Sequence, residues 1–339
     1  MTFAELAHEW LDGHAAPSVS PTTYDQYRAD VRSRIVPAMG RLDVADVGHA
    51  ALQRGIYAVA EQRHRKRRRG EPVGYATSTL RRTAFVMASI HRYGASVGYT
   101  APAVYRFKMP RCRDHDAPRV PKCLDREGAE AVLAAAVRTA EHPEAPFDGS
   151  EGPVCAAHAQ SARRYALGCL LGLAGLRIGE VCGVRRADFD FKGGTVRVER
   201  GVRTYRGKGG TGWVTDAGPT KSRASRRSVP LPPEHAALLE RLAPEGWLIP
   251  GGRTRADVPC KRGYGVWFKR FIAACGHPEL SFHGLRHTCG TLLLEEGVDI
   301  KTIADILGHS NVSTTANIYL HPDERSKAEA VSRLGWGQA

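Results

Sequence analysis

The sequence lacks most of the features that would assign a chemical class at sight. Its cysteines (Cys112, Cys123, Cys155, Cys169, Cys182, Cys260, Cys275 and Cys289) include no C-x-x-C pair, which excludes a disulfide framework and the usual zinc spacings. Cys169, Cys182 and Cys289 fall in apolar or helical patterns, where cysteine serves as a small buried hydrophobe. The longest apolar run, Tyr165 to Leu176, is about twelve residues, too short to span a bilayer. The opening Met1-Thr-Phe-Ala-Glu has neither the basic nor the apolar region of a secretion signal. A reduced, cytoplasmic protein with no membrane partner is therefore expected. There is no P-loop and no paired-carboxylate metal pattern. In His283-x-x-x-His287, Gly284 stands where a metallopeptidase needs its glutamate.

Negative charge is also scarce. Across 339 residues there are 35 Asp and Glu against 49 Lys and Arg, a formal net charge of +14. Residues 1–110 hold 16 basic and 9 acidic residues and residues 111–339 hold 33 and 26, an excess of +7 in each part. A basic tail would load one end; this distribution suits two domains that both face a polyanion.

The expected fold is mainly α with a small β-sheet: a helical bundle over 1–105, a basic linker over 106–124, and an α+β domain over 125–339. Thr2-Phe3-Ala4-Glu5 is a capping-box pattern opening a helix that Gly13 should end. Ser20-Pro21 starts a second helix, expected to stop before Pro37. A third is expected from about Ala50 to Arg69 and a fourth from about Ala76 to Val97. The third ends in a run containing Arg65, Lys66, Arg67, Arg68 and Arg69. That run is either a solvated helix end, a localisation signal or a phosphate-contacting surface. Lys108 and Arg111, in the proline-rich linker, are further candidates for DNA contact.

In the second half, residues 141–160 read as a surface insertion, and an apolar helix from Arg163 runs into Gly175-Leu-Arg177-Ile-Gly-Glu180. Arg177 and Glu180 stand among leucines, and a charge in an apolar setting needs a partner or an anionic ligand. Thr195 to Val202 alternates as a half-buried strand, and Thr220 to Pro230 reads as a hairpin with Lys221 entering its turn. Arg226 and Arg227 in that hairpin are candidate DNA contacts. His283, Arg286 and His287 share one helical face near a helix start. Gly308 should end a short helix and leave His309 exposed, with Tyr319 ten residues later.

Together these groups suit phosphoryl transfer without a metal. Two arginines can clamp the charged equatorial oxygens of a phosphodiester. Lysine or histidine can protonate a leaving 5′-oxygen. A tyrosine hydroxyl can attack to leave a covalent phosphotyrosine.

The Gly-Leu-Arg177-x-Gly-Glu180 box, Lys221, His283-x-Leu-Arg286-His287, Leu-Gly-His309 and Tyr319, in this order and spacing, resemble the tyrosine recombinase, or phage integrase, family. The resemblance implies a helical core-binding, SAM-like domain ahead of a catalytic domain. It implies Arg177 and Arg286 as phosphate clamp, Lys221 as general acid, His283 to assist proton transfer or position the phosphate, His309 to hydrogen-bond it, and Tyr319 as nucleophile. Glu180 and His287 would support them. It further implies no cofactor, double-stranded DNA at specific recombination sites as partner, a homotetramer in the synaptic complex, a free monomer, and a place for an accessory DNA-bending or directionality protein. The C-terminal stretch Asp323–Trp336 has Ala328, Val331 and Leu334 on one face, suiting docking on a neighbouring protomer or on its own domain. Two other readings stay open at this point: a DNA-relaxing enzyme of the type IB topoisomerase kind, and a basic DNA-binding regulator without catalysis.

Overall fold

The computed structural model describes residues 1–62, 74–110, 122–145, 155–207, 212–220, 225–251, 258–309, 311 and 332. Outside them lie Arg65, Lys66, Arg67, Arg68, Arg69, Arg111, Lys221 and Tyr319, with nearly all of the C-terminal stretch. The chain divides into two compact units, Met1–Arg119 with Tyr205–Trp213, and Val120–Thr204 with Val214–Ala339. The structure is mainly helical with small antiparallel sheets. No helix among the described residues is long and apolar enough to cross a membrane.

The first unit opens with α1 (Phe3–Glu9), whose capping box is complete: Glu5 N–H donates to Thr2 Oγ1 at 3.3 Å and Thr2 N–H to Glu5 Oε2 at 2.7 Å. Gly13 does not end this helix. The chain continues through a π-helical turn, Trp10–Ala15, into α2 (Ala16–Ser18), because Trp10, Leu11 and Ala15 are all buried and hold the turn against the core. Helix α3 (Pro21–Asp30) begins with Ser20 as N-cap and Pro21 in the first turn. It too runs on past its expected end, through a second π turn at Val31–Ile35 into α4 (Val36–Met39). Pro37 has no N–H to give, and the wider turn admits it without a break. Helix α5 (His49–Glu61) stops eight residues short of Arg69, with Gln62 already extended. Its buried side chains end at Val59, and beyond Gln62 the sequence through Arg69 is all His, Arg and Lys, with nothing apolar to bury. Helix α6 (Thr77–Ser96) completes the bundle.

A fully buried carboxylate, Asp30, ties this unit together. It takes Arg82 Nε at 2.8 Å and Thr83 Oγ1 at 3.3 Å and also pairs with Arg34. Residues 101–110 are extended but not detached. Tyr105, Phe107 and Met109 pack on the core, and Gln53 makes two hydrogen bonds of 2.9 Å with the Lys108 backbone.

The second unit packs α7 (Arg126–Glu141) against α8 (Ala156–Leu173), whose Ala166, Leu167, Leu170 and Leu171 form the centre of its core. Helix α8 begins inside the stretch expected to be an insertion. After the short α9 (Ile178–Cys182), strands β1 (Phe189–Asp190), β2 (Thr195–Val198) and β5 (Arg227–Pro230) form one antiparallel sheet. Strands β3 (Arg200–Arg206) and β4 (Trp213–Pro219) form another.

The expected strand Thr195–Val202 is thus two strands separated at Glu199, and among the described residues the strands on either side of 220–226 do not pair with each other as a hairpin would. Strand β4 pairs with β3 and β5 with β2, in the register Val198↔Arg227 to Thr195↔Pro230. Between β3 and β4 the Gly207 N–H donates to the Gly212 carbonyl at 2.9 Å, and Gly212 sits at φ 91, where glycine carries no Cβ penalty. Helices α10 (Pro233–Leu242), α11 (Lys261–Ala274), α12 (Phe282–Glu295) and α13 (Ile300–Leu307) close the unit.

Candidate active site

Three segments of the second unit bring the predicted groups together. The first is the turn after α8. Gly175, at φ +94, lets the chain double back where an added Cβ would lie 2.8 Å from Leu307 Cδ2. Arg177 then caps α9 in an extended conformation, and Glu180 folds back to it. Glu180 Oε2 accepts the Arg177 backbone N–H at 3.0 Å, and Oε1 accepts Arg177 Nη1 at 2.7 Å. The rest of the Arg177 guanidinium is partly exposed, with Nη2 donating to the Gly308 carbonyl at 3.1 Å.

The second segment is the start of α12, where Ser281 Oγ accepts the Gly284 N–H. His283, Arg286 and His287 lie one turn apart, and the rings of His283 and His287 meet edge to face with centroids 4.6 Å apart. Arg286 is 1% exposed, and its Nη1 donates to the Gly175 carbonyl at 2.6 Å. The anchor of Arg286 therefore sits two residues before Arg177. His283 is exposed on its outer side, with His287 and the two arginines crowding the other.

The third segment is the end of α13. Gly308, at φ 65 and ψ 50, closes a Schellman-type turn in which His309 N–H donates to the Ala304 carbonyl at 2.9 Å and Gly308 N–H to the Asp305 carbonyl at 3.1 Å. His309 follows at once, half-buried rather than exposed as expected, because the turn folds it back toward the two arginines.

The electrostatics follow from this crowding. Burial alone would raise the Glu180 carboxyl, but Arg227 and then Arg177 hold it below the ordinary carboxylate range. Burial pushes His309 down to about 4, with Arg286, Arg177, His283 and Arg227 adding to it. Burial also lowers His283 to about 4, helped by His287, Arg286 and Arg177. His287 is lowered by burial and by Arg286. At neutral pH both His283 and His309 are therefore uncharged and can each donate one ring N–H and accept at the other nitrogen. Among the described residues, no group of three or more His, Cys, Asp or Glu side chains converges as metal ligands would.

The candidate DNA contacts separate into different environments. Arg226 and Lys108 are exposed. Arg227 is not: its side chain is 7% exposed and pairs with Glu180. The signal was present in the sequence, since Arg227 and Val229 alternate with Ser228 and so share the inward face of β5. The polar setting of Arg226-Arg227 masked it.

The arrangement groups two guanidiniums, two neutral imidazoles and a supporting carboxylate, a set suited to holding an anionic oxygen centre. The pattern of the phage integrase family matches residues 153–326, and that of the phage integrase N-terminal SAM-like domain matches residues 2–57. The tyrosine recombinase XerC-like protein of Caldanaerobacter subterraneus is 26% identical over 356 residues, covering 98% of this chain and 83% of that protein. Tyrosine recombinase XerA of Thermococcus kodakarensis is 37% identical over 152 residues, 43% of this chain and 46% of that protein. In fold, the chain is similar to the Tn1549 transposon integrase, with a TM-score of 0.72 at 20% identity, covering 99% of this chain and 100% of that one. It is also similar to lambda integrase residues 75–356, with a TM-score of 0.59 at 15% identity, covering 96% and 97%.

Proposed function

From the membership of this chain in the phage integrase family, we propose that it is a site-specific DNA recombinase that cleaves and rejoins DNA through a covalent 3′-phosphotyrosine, using neither metal nor ATP. The observation that carries this reading is the grouping of Arg177, Arg286, His283 and His309 close enough to shift one another's charge, within the same family match that includes Lys221 and Tyr319. The similar Tn1549 integrase has been solved in complex with transposon right end DNA and XerH with its difH substrate. An even basic excess in both parts of this chain suits double-stranded DNA as its partner.

In the proposed reaction the Tyr319 oxygen attacks the scissile phosphorus, and its proton leaves to a neighbouring base. The P–O5′ bond breaks as the P–O bond to tyrosine forms. Arg177 and Arg286 neutralise the non-bridging oxygens, whose charge grows in the five-coordinate transition state. Lys221 protonates the departing 5′-oxygen. His309 and His283, uncharged, donate N–H bonds to the phosphate without titrating. Rejoining runs the same steps backwards from a new 5′-hydroxyl, and the phosphotyrosine conserves the bond energy. Four protomers on two sites would carry this through to strand exchange, with an accessory DNA-bending or directionality protein able to set its course.

The test is incubation with a nicked suicide duplex carrying the cognate site. A covalent protein–DNA adduct insensitive to EDTA is expected; Tyr319→Phe should bind the duplex and form none. Arg177→Lys should lose about 100-fold or more in adduct formation, since a point charge cannot replace a planar fork. An adduct that survives Tyr319→Phe removes the assignment. Exchange between two cognate sites, against relaxation alone, separates a recombinase from a relaxing enzyme.

A further inference from the structure

Arg227 was expected on the DNA and is found underneath the site, and what it holds there is specific. Its three guanidinium nitrogens each donate to a different group: Nη2 to Glu180 Oε2 at 3.1 Å, Nε to the Ile306 carbonyl at 2.5 Å, and Nη1 to the Ser225 carbonyl at 3.2 Å. The same guanidinium lies against Gly308, where an added Cβ would be 2.7 Å from Nη1 and 3.0 Å from Cζ. Glu180 in turn holds both the backbone and the side chain of Arg177, and Arg177 closes the loop by donating to the Gly308 carbonyl.

We propose that Arg227 is a positioning residue that fixes Arg177 and His309 relative to each other, acting through Glu180 and the end of α13, and touching no substrate itself. This rests on the recombinase reading above. The ring Arg227–Glu180–Arg177–Gly308 joins three segments that are far apart in sequence. The strand β5 supplies Arg227, the start of α9 supplies Arg177 and Glu180, and the end of α13 supplies Gly308 and, next to it, His309. Helix α13 is short (eight residues), so its last turn depends on what grips its terminal carbonyls. Arg227 grips one and Arg177 the next but one. Burial argues against a direct phosphate contact: a DNA-contacting arginine presents its fork to solvent, as the exposed Arg226 next to it can. The planar fork also matters. A lysine at 227 could reach Glu180 as a point charge, but it could not serve three acceptors lying in different directions.

The proposal predicts a defect in chemistry without a defect in binding. With the suicide duplex in single turnover, Arg227→Ala should lower the rate of adduct formation about 100-fold, and Arg227→Lys about tenfold, a positioning loss of the size that misaligned catalytic groups show. Duplex affinity for both should stay within about threefold of the parent, since most of the binding comes from phosphate contacts elsewhere. A second substrate reports whether the loss runs through Arg177. Replacing one non-bridging oxygen of the scissile phosphate with methyl removes the charge that Arg177 answers. The deficits of Arg177→Ala and Arg227→Ala should then shrink together. If Arg227→Ala does not fold, Arg227→Lys carries the same comparison. The proposal is overturned by adduct formation within threefold of the parent, by an affinity loss that matches the rate loss, or by a deficit identical on the two substrates. A parent protein that forms no adduct at all overturns the recombinase reading and this inference with it.

Discussion

The tightest consequence of the ring around Glu180 is that position 308 admits no side chain. In Gly308→Ala the backbone must hold an L-residue at φ 65, which costs about 1 kcal/mol. The new Cβ would stand 2.7 Å from Arg227 Nη1. That guanidinium cannot swing clear without giving up the Ile306 carbonyl or Glu180. Losing one charge-assisted bond in a buried place costs about 1.5–3 kcal/mol, so the total is about 2.5–4 kcal/mol. The same chain supplies its own control. Gly276, which follows α11 at φ +87, has nothing within 4 Å of where its Cβ would lie. Gly276→Ala should therefore cost only the backbone share, about 1 kcal/mol. Hydrogen exchange in the buried middle of α8 reads the stability of the second unit by itself, which matters because two units need not unfold together. The expected gap between the two variants is about 2 kcal/mol. Equal costs would mean that Arg227 is not wedged against Gly308, and the ring would lose one of its joints.

Two further outcomes follow from the buried charges. Asp30→Asn removes the carboxylate that Arg82 and Arg34 share in the first unit. Because Arg82 is 39% exposed and can turn to water, the expected cost is about 2 kcal/mol rather than the larger figure for a fully sealed pair; a shift in unfolding midpoint below about 0.5 kcal/mol would count against a structural role for Asp30. The histidines make the second prediction. His283 and His309 titrate at about 4 in the folded chain and near about 6.5 when unfolded. Between those values the unfolded chain binds more protons, so stability falls as pH drops through that window. Imidazole resonances of the free protein should show no titration of either ring above about pH 5, and an inflection near 6.5 would refute the burial and arginine crowding proposed as its cause.

How far the sequence was readable depended on whether a feature was local. The caps of α1 and α3 were legible because Thr2 and Ser20 act on residues within one turn. The Arg177–Glu180 pair and the His283–Arg286–His287 face were legible for the same reason. Where Gly13 and Pro37 were expected to stop helices, tertiary burial of Trp10, Leu11, Val31 and Ile35 prevailed over local propensity. The strand pairing was misread because the polar run around Lys221 suggested that its flanking strands pair with each other, whereas each pairs with a strand further upstream. Arg227 was placed on the surface because its partners, Glu180 and Ile306, are 47 and 79 residues away. No window of sequence contains that information, although the alternation with Val229 pointed inward.

The excess of arginine at this site serves two ends that pull together. The cluster sets the guanidiniums of Arg177 and Arg227 around a single carboxylate, Glu180, with Arg286 anchored separately on the Gly175 carbonyl. Glu180 offsets the repulsion between Arg177 and Arg227, which otherwise face each other across β5 and the start of α9. Arg286 is oriented by a backbone carbonyl, which directs a guanidinium without cancelling its charge. The remaining positive field is what depresses His283 and His309 beyond the effect of burial. Under the recombinase reading, a phosphodiester held by these groups supplies the anion that this field lacks. Its arrival offsets that field where the neutral imidazole N–H groups meet the phosphate oxygens. An imidazole that was already charged would add to the repulsion among the arginines in the empty site. One held neutral by them adds no charge and still has an N–H to donate to the phosphate, so the arginines prepare the histidines as well as clamp the substrate.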